Sequence, residues 1–371
     1  MEKILVVGSG LAGATSARCL AEAGFPVTVL ESRRHIGGNC FDFRDREGLF
    51  VQLHGPHVFH TSDIEIWNFL TQYTEWRHYE HRVTANVNGK LLPFPINLDT
   101  LGLLYGKTFT PVAMAEFLRA EVANSNFPSP PANFRDFIVS QVGSRLYETF
   151  FHHYTEKQWG KPPEKLSVEV AKRIPLRFNH DDRYFTDPYQ GIPLKGFTEM
   201  IRRMLDHPNI DVHLETDYFD QREEYPAALT VFTGELDRFF NYRFGKLEYR
   251  SLKMDFVTVN KERYQPTAVI NYPGEEPWTR VTEFKHFYGQ EHPKTTLCHE
   301  YPAEKGHPYY VVYTRENLAK RDLYMGEVSK LEKMGGYIFC GRLAEYRYFN
   351  MDQATASALG KIRAWLKNRK A

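Results

Sequence analysis

The sequence predicts a mixed α/β fold: a doubly wound nucleotide-binding domain into which a helical bundle and an antiparallel β-sheet domain are inserted. Three observations predict it. The chain opens strand–helix–strand with Gly8-Ser9-Gly10-Leu11-Ala12-Gly13 at the first turn. A helical pattern from about 99 to 157 and an alternating one at 248–259 follow, and neither continues a parallel sheet. From 337 the chain returns to strand, loop and helix, so the first domain is expected to be discontinuous.

Each element has its own local reason. Residues 3–7 are a short apolar run that reads as a buried strand, 11–24 read as a helix closed by Gly24, and 27–30 as the second strand. Residues 82–94 read as a hairpin, because alternating Val83, Ala85 and Val87 lead into Asn88-Gly89, a favoured two-residue turn. Pro111 starts a helix over 111–123, and 133–142 and 143–155 look similar. The stretch 160–182, with Pro162, Pro163 and Pro175, reads as a mobile functional loop. Residues 196–206 read as helix and 210–214 as strand. The stretches 248–259, 267–271, 280–287 and 308–313 read as strands of an antiparallel sheet. Helices are expected at 315–334 and 353–368, around a strand at 337–340.

The totals narrow the function. The 371 residues carry a net charge of +1, with no Lys/Arg block to track a nucleic-acid backbone. Aromatic residues reach 15%, enough to line a ligand cleft as well as fill a core. Cys19, Cys40, Cys298 and Cys340 form no C-x-x-C pair, so zinc is not expected; Cys19 (helix) and Cys340 (strand) read as buried core. With no signal-peptide pattern and no bilayer-length apolar run, a cytoplasmic setting without membrane insertion is the expectation.

Gly8 allows the tight turn, Gly10 lets backbone approach a pyrophosphate, and Gly13 permits close helix–strand packing. The phosphate would sit at the N-terminus of the helix that contains Ala12. Glu31, ending the second strand, is the expected acceptor for a ribose hydroxyl and disfavours a ribose phosphate. This is the Rossmann-like pattern. The run from Glu31 through Arg33 to Gly37-Gly38-Asn39 resembles the FAD-binding arm of amine oxidases and their relatives. Gly341-Arg342 resembles the second flavin contact, where Arg342 would favour the anionic reduced ring.

Four further segments, in order along nearly the whole chain, resemble the UDP-galactopyranose mutase family. They are Gly55-Pro56-His57-Val58-Phe59-His60-Thr61, Tyr154-Thr155-Glu156-Lys157-Gln158-Trp159-Gly160, the run from Arg177 to Phe185, and the run from Gly341 to Tyr348. The resemblance implies three parts. A FAD-binding domain would comprise 1–80, 190–240 and 315–371. A helical bundle would span 98–183, and a sheet domain 81–97 with 241–314. It also implies reversible isomerisation of UDP-galactopyranose to UDP-galactofuranose, with reduced FAD as an N5 nucleophile and no net redox change, and a homodimer.

By the same resemblance Arg173 and Arg280 clamp the pyrophosphate. Tyr184, Tyr313 and Tyr348 hydrogen-bond its oxygens, and Tyr154 stacks on uracil beside Phe150, Phe151 and Thr155. Trp159 packs near the ribose or sugar, Asn271 lies near the uridine, and His81 faces the sugar. His60 lies near the flavin N5 edge, with a general-base role left open. His57, Asn350 and Met351 join the cofactor contacts. Asn350 stands where relatives often carry Asp, which removes a charge and keeps an acceptor. His57 and His60 have no third ligand, so no metal is expected. Two competing readings are an amine-oxidase-like FAD oxidoreductase and a non-catalytic binding protein like the GDP-dissociation inhibitors.

Overall fold

A computed structural model describes residues 2–370. Five parallel strands form the nucleotide-binding sheet in the spatial order Ile210–His213, Val27–Leu30, Ile4–Val7, Leu229–Phe232, Tyr337–Phe339. Such strands are covered on both faces, which is why Ile4, Leu5 and Val6 are all buried. Strand order turns outward on either side of Ile4–Val7, and ligands of open α/β sheets bind at that switch point. The helix Leu11–Glu22 starts there, packed between the helices Met351–Lys370 and Phe197–Leu205.

The second sheet has seven strands, in the order Tyr310–Val311, Tyr249–Val259, Thr295–Ala303, Arg280–Glu283, Val269–Asn271, Val83–Val87, Lys90–Phe94. All neighbours are antiparallel except Val269–Asn271 beside Val83–Val87, which run parallel. The expected hairpin forms, with Asn88 and Gly89 both at positive φ. Three expectations change. The strand expected over 280–287 stops at Glu283, and Lys285–Tyr288 is a helical turn closed by Gly289. Cys340 lies one residue past its strand, though buried, and Cys19 is only half-buried.

The helices Leu98–Tyr105, Pro111–Ala123, Phe134–Phe150 and His152–Trp159 make the bundle. Phe134–Phe150 is broken at Gly143 (φ 80°, ψ 166°), the point at which the sequence divides into two helical stretches. The 160–182 segment holds a short helix, Val168–Ala171, and its backbone is tied down by Ser167 N–H donating to the Tyr313 carbonyl at 2.8 Å. Among the described residues no helix is long and apolar enough to cross a membrane.

Candidate active site and cofactor groove

A groove of about 970 Å³ runs along the carboxyl ends of the parallel strands. Its walls include all twelve residues expected to hold the dinucleotide: Gly8, Gly10, Ala12, Gly13, Glu31, Arg33, Gly38, Asn39, His57, Arg342, Asn350 and Met351. The glycines are used up by backbone packing. A Cβ on Gly13 would lie 1.9 Å from the Gly8 carbonyl oxygen, and one on Gly38 would lie 2.9 Å from Gly10 Cα. Gly10, the N-cap of Leu11–Glu22, gives no side-chain cap, so the first-turn N–H groups are left for a ligand. Glu31 accepts from Ser9 N–H at 3.0 Å and Ser9 Oγ–H at 2.7 Å. Arg33 donates to Asn39 at 2.9 Å, and its buried Nη1 has no protein partner. An unpartnered cationic nitrogen, free helix N–H groups and a glycine cradle fit an anionic dinucleotide.

A second cleft, of about 540 Å³, meets this groove along His54, His57, Tyr309, Arg342, Asn350 and Met351. Its walls bring together Arg173, Arg280, His60, His81, Phe150, Phe151, Tyr154, Thr155, Trp159, Tyr184, Asn271 and Tyr348. Tyr313 is the exception. It does not line the cleft but adjoins it through Tyr348, whose N–H donates to the Tyr313 hydroxyl oxygen at 2.9 Å.

Three elements aim these groups. Strand register places Ala85, Asn271, Arg280 and Glu300 side by side in one row of the seven-stranded sheet. The helix His152–Trp159 presents Tyr154, Thr155, Gln158 and Trp159, which helical spacing puts on one face. Segment 183–184 pairs with 81–82, and Tyr184 N–H donates to the His81 carbonyl at 2.6 Å.

Arg280 Nε lies 3.0 Å from Glu300 Oε1, although Nε–H has no aligned acceptor. Burial works most strongly against the Arg280 guanidinium, but Glu300 and the neighbouring Tyr154, Tyr310 and Tyr348 together hold its pKa above the usual arginine value. Burial pushes the Glu300 carboxyl up, and Arg280 pulls it back. Arg173 has a different setting. It donates to the Tyr348 carbonyl at 2.7 Å and to the Asn350 side-chain oxygen, and its guanidinium lies 4.2 Å from the Tyr348 ring centre. Those acceptors are neutral, and burial lowers its pKa. Arg342 donates to the carbonyls of Phe349 and Tyr309, which fixes its charge where groove and cleft meet.

His60 stacks on Phe185 at 3.6 Å, and its Nδ1 lies 2.8 Å from Asp187 Oδ2. Burial opposes the Asp187 charge, but the Ser62 hydroxyl and His60 hold the carboxyl below its usual range. His57 Nδ1 lies 2.8 Å from the Gly55 carbonyl, which can only accept, so Nδ1 carries the hydrogen. Burial pushes the His57 imidazole down to about 4, so at neutral pH its Nε2 is an acceptor. His54 and His81 are pushed down to about 3, first by burial and then by Arg33 and Arg280 respectively.

The three neutral histidines predict acid sensitivity. Unfolded, each takes up a proton near 6.5; folded, only near 4 or 3. Across that window the unfolded chain binds more protons, so this contribution to stability is complete above the unfolded value. It is lost as pH falls, by up to about 1.4 kcal/mol per histidine per pH unit. Urea unfolding at stepped pH is expected to give falling stability from 6.5 towards 4, with a shallower slope in His81→Gln. An equal slope in variant and wild type contradicts the assignment for His81.

Glu300, Asp187, His54, Phe185, Tyr309 and Tyr310 belong to the site and were not singled out by sequence reading. Phe185 ends the run beginning at Arg177 and could have been found there. The acidic pair could not, because each meets its partner only through the fold.

Residues 149–348 match the family model described as UDP-galactopyranose mutase, and residues 6–73 match an NAD(P)-binding Rossmann-like domain. A probable UDP-galactopyranose mutase of Klebsiella pneumoniae is 39% identical over 96% of this chain and 93% of its own length. A dTDP-fucopyranose mutase of Escherichia coli is 35% identical over 100% of both chains. Among solved structures, a reduced UDP-galactopyranose mutase superposes with a TM-score of 0.79 at 15% identity, covering 99% of this chain and 96% of that one, which supports the fold. With the family segments gathered around one cleft and relatives matched end to end, the chain belongs to the UDP-galactopyranose mutase family.

Proposed function

We propose that the protein interconverts UDP-galactopyranose and UDP-galactofuranose with reduced FAD and no net redox change. The observation that carries this reading is the shared wall of groove and cleft, which brings a dinucleotide site and a cationic, aromatic site together at His57 and Arg342. Bound reduced FAD supplies the nucleophile for the anomeric carbon.

The chain's own residues bind, hold and orient. Arg280 and Arg173 oppose the two charges of the diphosphate and keep the departing nucleotide in the cleft. Tyr184 and Tyr348 donate hydroxyl hydrogens to phosphate oxygens, while Tyr313 acts through Tyr348. Tyr154 stacks on the base, among Phe150, Phe151, Thr155 and Asn271, with Trp159 towards the ribose. His81 faces the sugar, and His57 offers the cofactor a neutral acceptor. His60, oriented by Asp187, shapes the surroundings of the cofactor ring. Asn350 holds Arg173 without adding a negative charge that would compete with phosphate.

The full-length likeness to a dTDP-fucopyranose mutase favours one second reading, a 6-deoxy sugar on thymidine diphosphate. Reduced, FAD-loaded protein given UDP-galactofuranose and, separately, dTDP-fucofuranose decides between them by chromatography. Conversion of the uridine sugar with kcat/KM about tenfold or more above the other is expected. Turnover of the thymidine sugar alone transfers the assignment, and turnover of neither refutes the reading.

A further inference from the structure

Lys157 lies in the segment Tyr154–Gly160, yet it does not line the cleft. Its ammonium turns to the loop that joins the strands Val269–Asn271 and Arg280–Glu283. There it donates to four backbone carbonyls, those of Tyr272 (2.7 Å), Gly274 (2.8 Å), Glu276 (2.8 Å) and Trp278 (3.2 Å). Among the described residues it makes no ion pair.

At its far end the loop is held by Trp278, which packs edge-on against Tyr272, His299 and Tyr301, and by Thr279 N–H donating to the Glu300 carbonyl at 2.9 Å. Pro273 and Pro277 lack N–H groups, and the backbone hydrogen bond that closes it is Tyr272 N–H to the Thr279 carbonyl at 2.8 Å. Between those ends the carbonyls converge on one cation. The loop is also a wall of the cleft, through Pro273, and it is flanked by Asn271 and Arg280. On the other side, Arg250 donates to the carbonyls of Lys157 (3.3 Å) and Gln158 (3.2 Å) and anchors the end of the helix. Gly160 makes room for it, since a Cβ there would lie 2.5 Å from Arg250 Nη1.

We infer that Lys157 is a positioning residue for nucleotide-sugar binding: it locks the 272–278 loop to the helix His152–Trp159, and so fixes Asn271 and Arg280 opposite Tyr154 and Thr155. The inference rests on the proposed nucleotide-sugar reading. A merely structural lysine would affect folding as a whole. A clamp between two walls of one cleft acts first on nucleotide affinity and leaves the separate dinucleotide groove intact.

The test uses FAD-loaded protein with Lys157→Met, Lys157→Gln and Lys157→Arg. FAD content, UDP affinity by fluorescence titration, and the split between KM and kcat are measured. Lys157→Met is expected to keep FAD, to bind UDP about tenfold more weakly and to raise KM similarly, with kcat within about threefold of wild type. Lys157→Gln, with two N–H donors and no charge, keeps the test available should the Met variant not fold, and the same pattern is expected of it. Lys157→Arg, which retains charged donors, is expected closer to wild type. Wild-type UDP affinity in the Met or Gln variant, or joint loss of FAD and UDP binding, overturns the clamp. A wild-type protein that binds no UDP overturns the underlying reading and the clamp with it.

Discussion

Arg280→Ala is expected to lower nucleotide-sugar conversion by about 10³-fold or more while FAD remains bound. Two losses combine. The cleft loses a cation beside Glu300, and charge-assisted hydrogen bonds to phosphate are each worth about 1.5–3 kcal/mol. The variant also strands Glu300, which is only 1% exposed and has Oε2 without a partner. Breaking a buried ion pair from one side costs about 3–5 kcal/mol of stability. The two effects separate in a double variant. Arg280→Met with Glu300→Gln removes the stranded charge, so stability is expected to recover much of its loss while turnover stays low. Turnover that returns together with stability would assign Arg280 to the fold alone. Retention of FAD is expected because Arg280 lies outside the dinucleotide groove, and it is read from the flavin absorbance of the purified variant.

Gly13→Val is expected to abolish cofactor binding. Even a Cβ at this position would sit 1.9 Å from the Gly8 carbonyl oxygen, a backbone atom that cannot rotate away. Relief requires moving the Gly8 turn, which is itself confined: Gly8 has φ +96°, and a Cβ there would meet Thr233 Oγ1 at 2.4 Å. The turn and the helix start are the parts that would face a pyrophosphate. Overpacking of this kind costs about 1–3 kcal/mol, and misplaced phosphate contacts weaken binding by about 100-fold or more. The purified variant is expected to be colourless and to resist reconstitution. Gly326→Ala is the control. It lies exposed in the helix Arg315–Met334 with nothing within 4 Å of its added Cβ, and it is expected to keep full colour and gain up to about 1 kcal/mol. A yellow Gly13→Val protein would show that the cofactor does not depend on this turn.

What could be read from the sequence was what depends on neighbours in the chain. The turn at Gly8–Gly13 follows from glycine spacing between a strand and a helix, and the 83–94 hairpin from Asn88-Gly89. Tyr154, Thr155 and Trp159 were found through the resemblance of their segment to the family. The break at Gly143 follows from periodicity. The strand Thr295–Ala303 did not. It lies between Tyr249–Val259 and Arg280–Glu283, and residues 295–298 are buried in succession, so the alternation that marks a half-exposed strand is missing. The strand Leu229–Phe232 was missed too; it is four buried residues with no polar alternation. Site residues divide the same way. Those inside family segments were legible, whereas Glu300 depends on strand register with Arg280, and Asp187 meets His60 across 127 positions. Tyr313 combines the two. Resemblance places it among the phosphate contacts, and the fold adds that its hydroxyl accepts from Tyr348 N–H, a link that no sequence spacing announces.

On the proposed reading cleft and groove work together, so that the sugar isomerises only when the cofactor is reduced. The most direct measurement is conversion of UDP-galactofuranose, followed by chromatography, in two samples of the FAD-loaded protein, one reduced with dithionite and one oxidised. UDP-galactopyranose is expected in the reduced sample and none above background in the oxidised one. A reduced, FAD-loaded protein that leaves the substrate unchanged, or equal conversion in both samples, would contradict it.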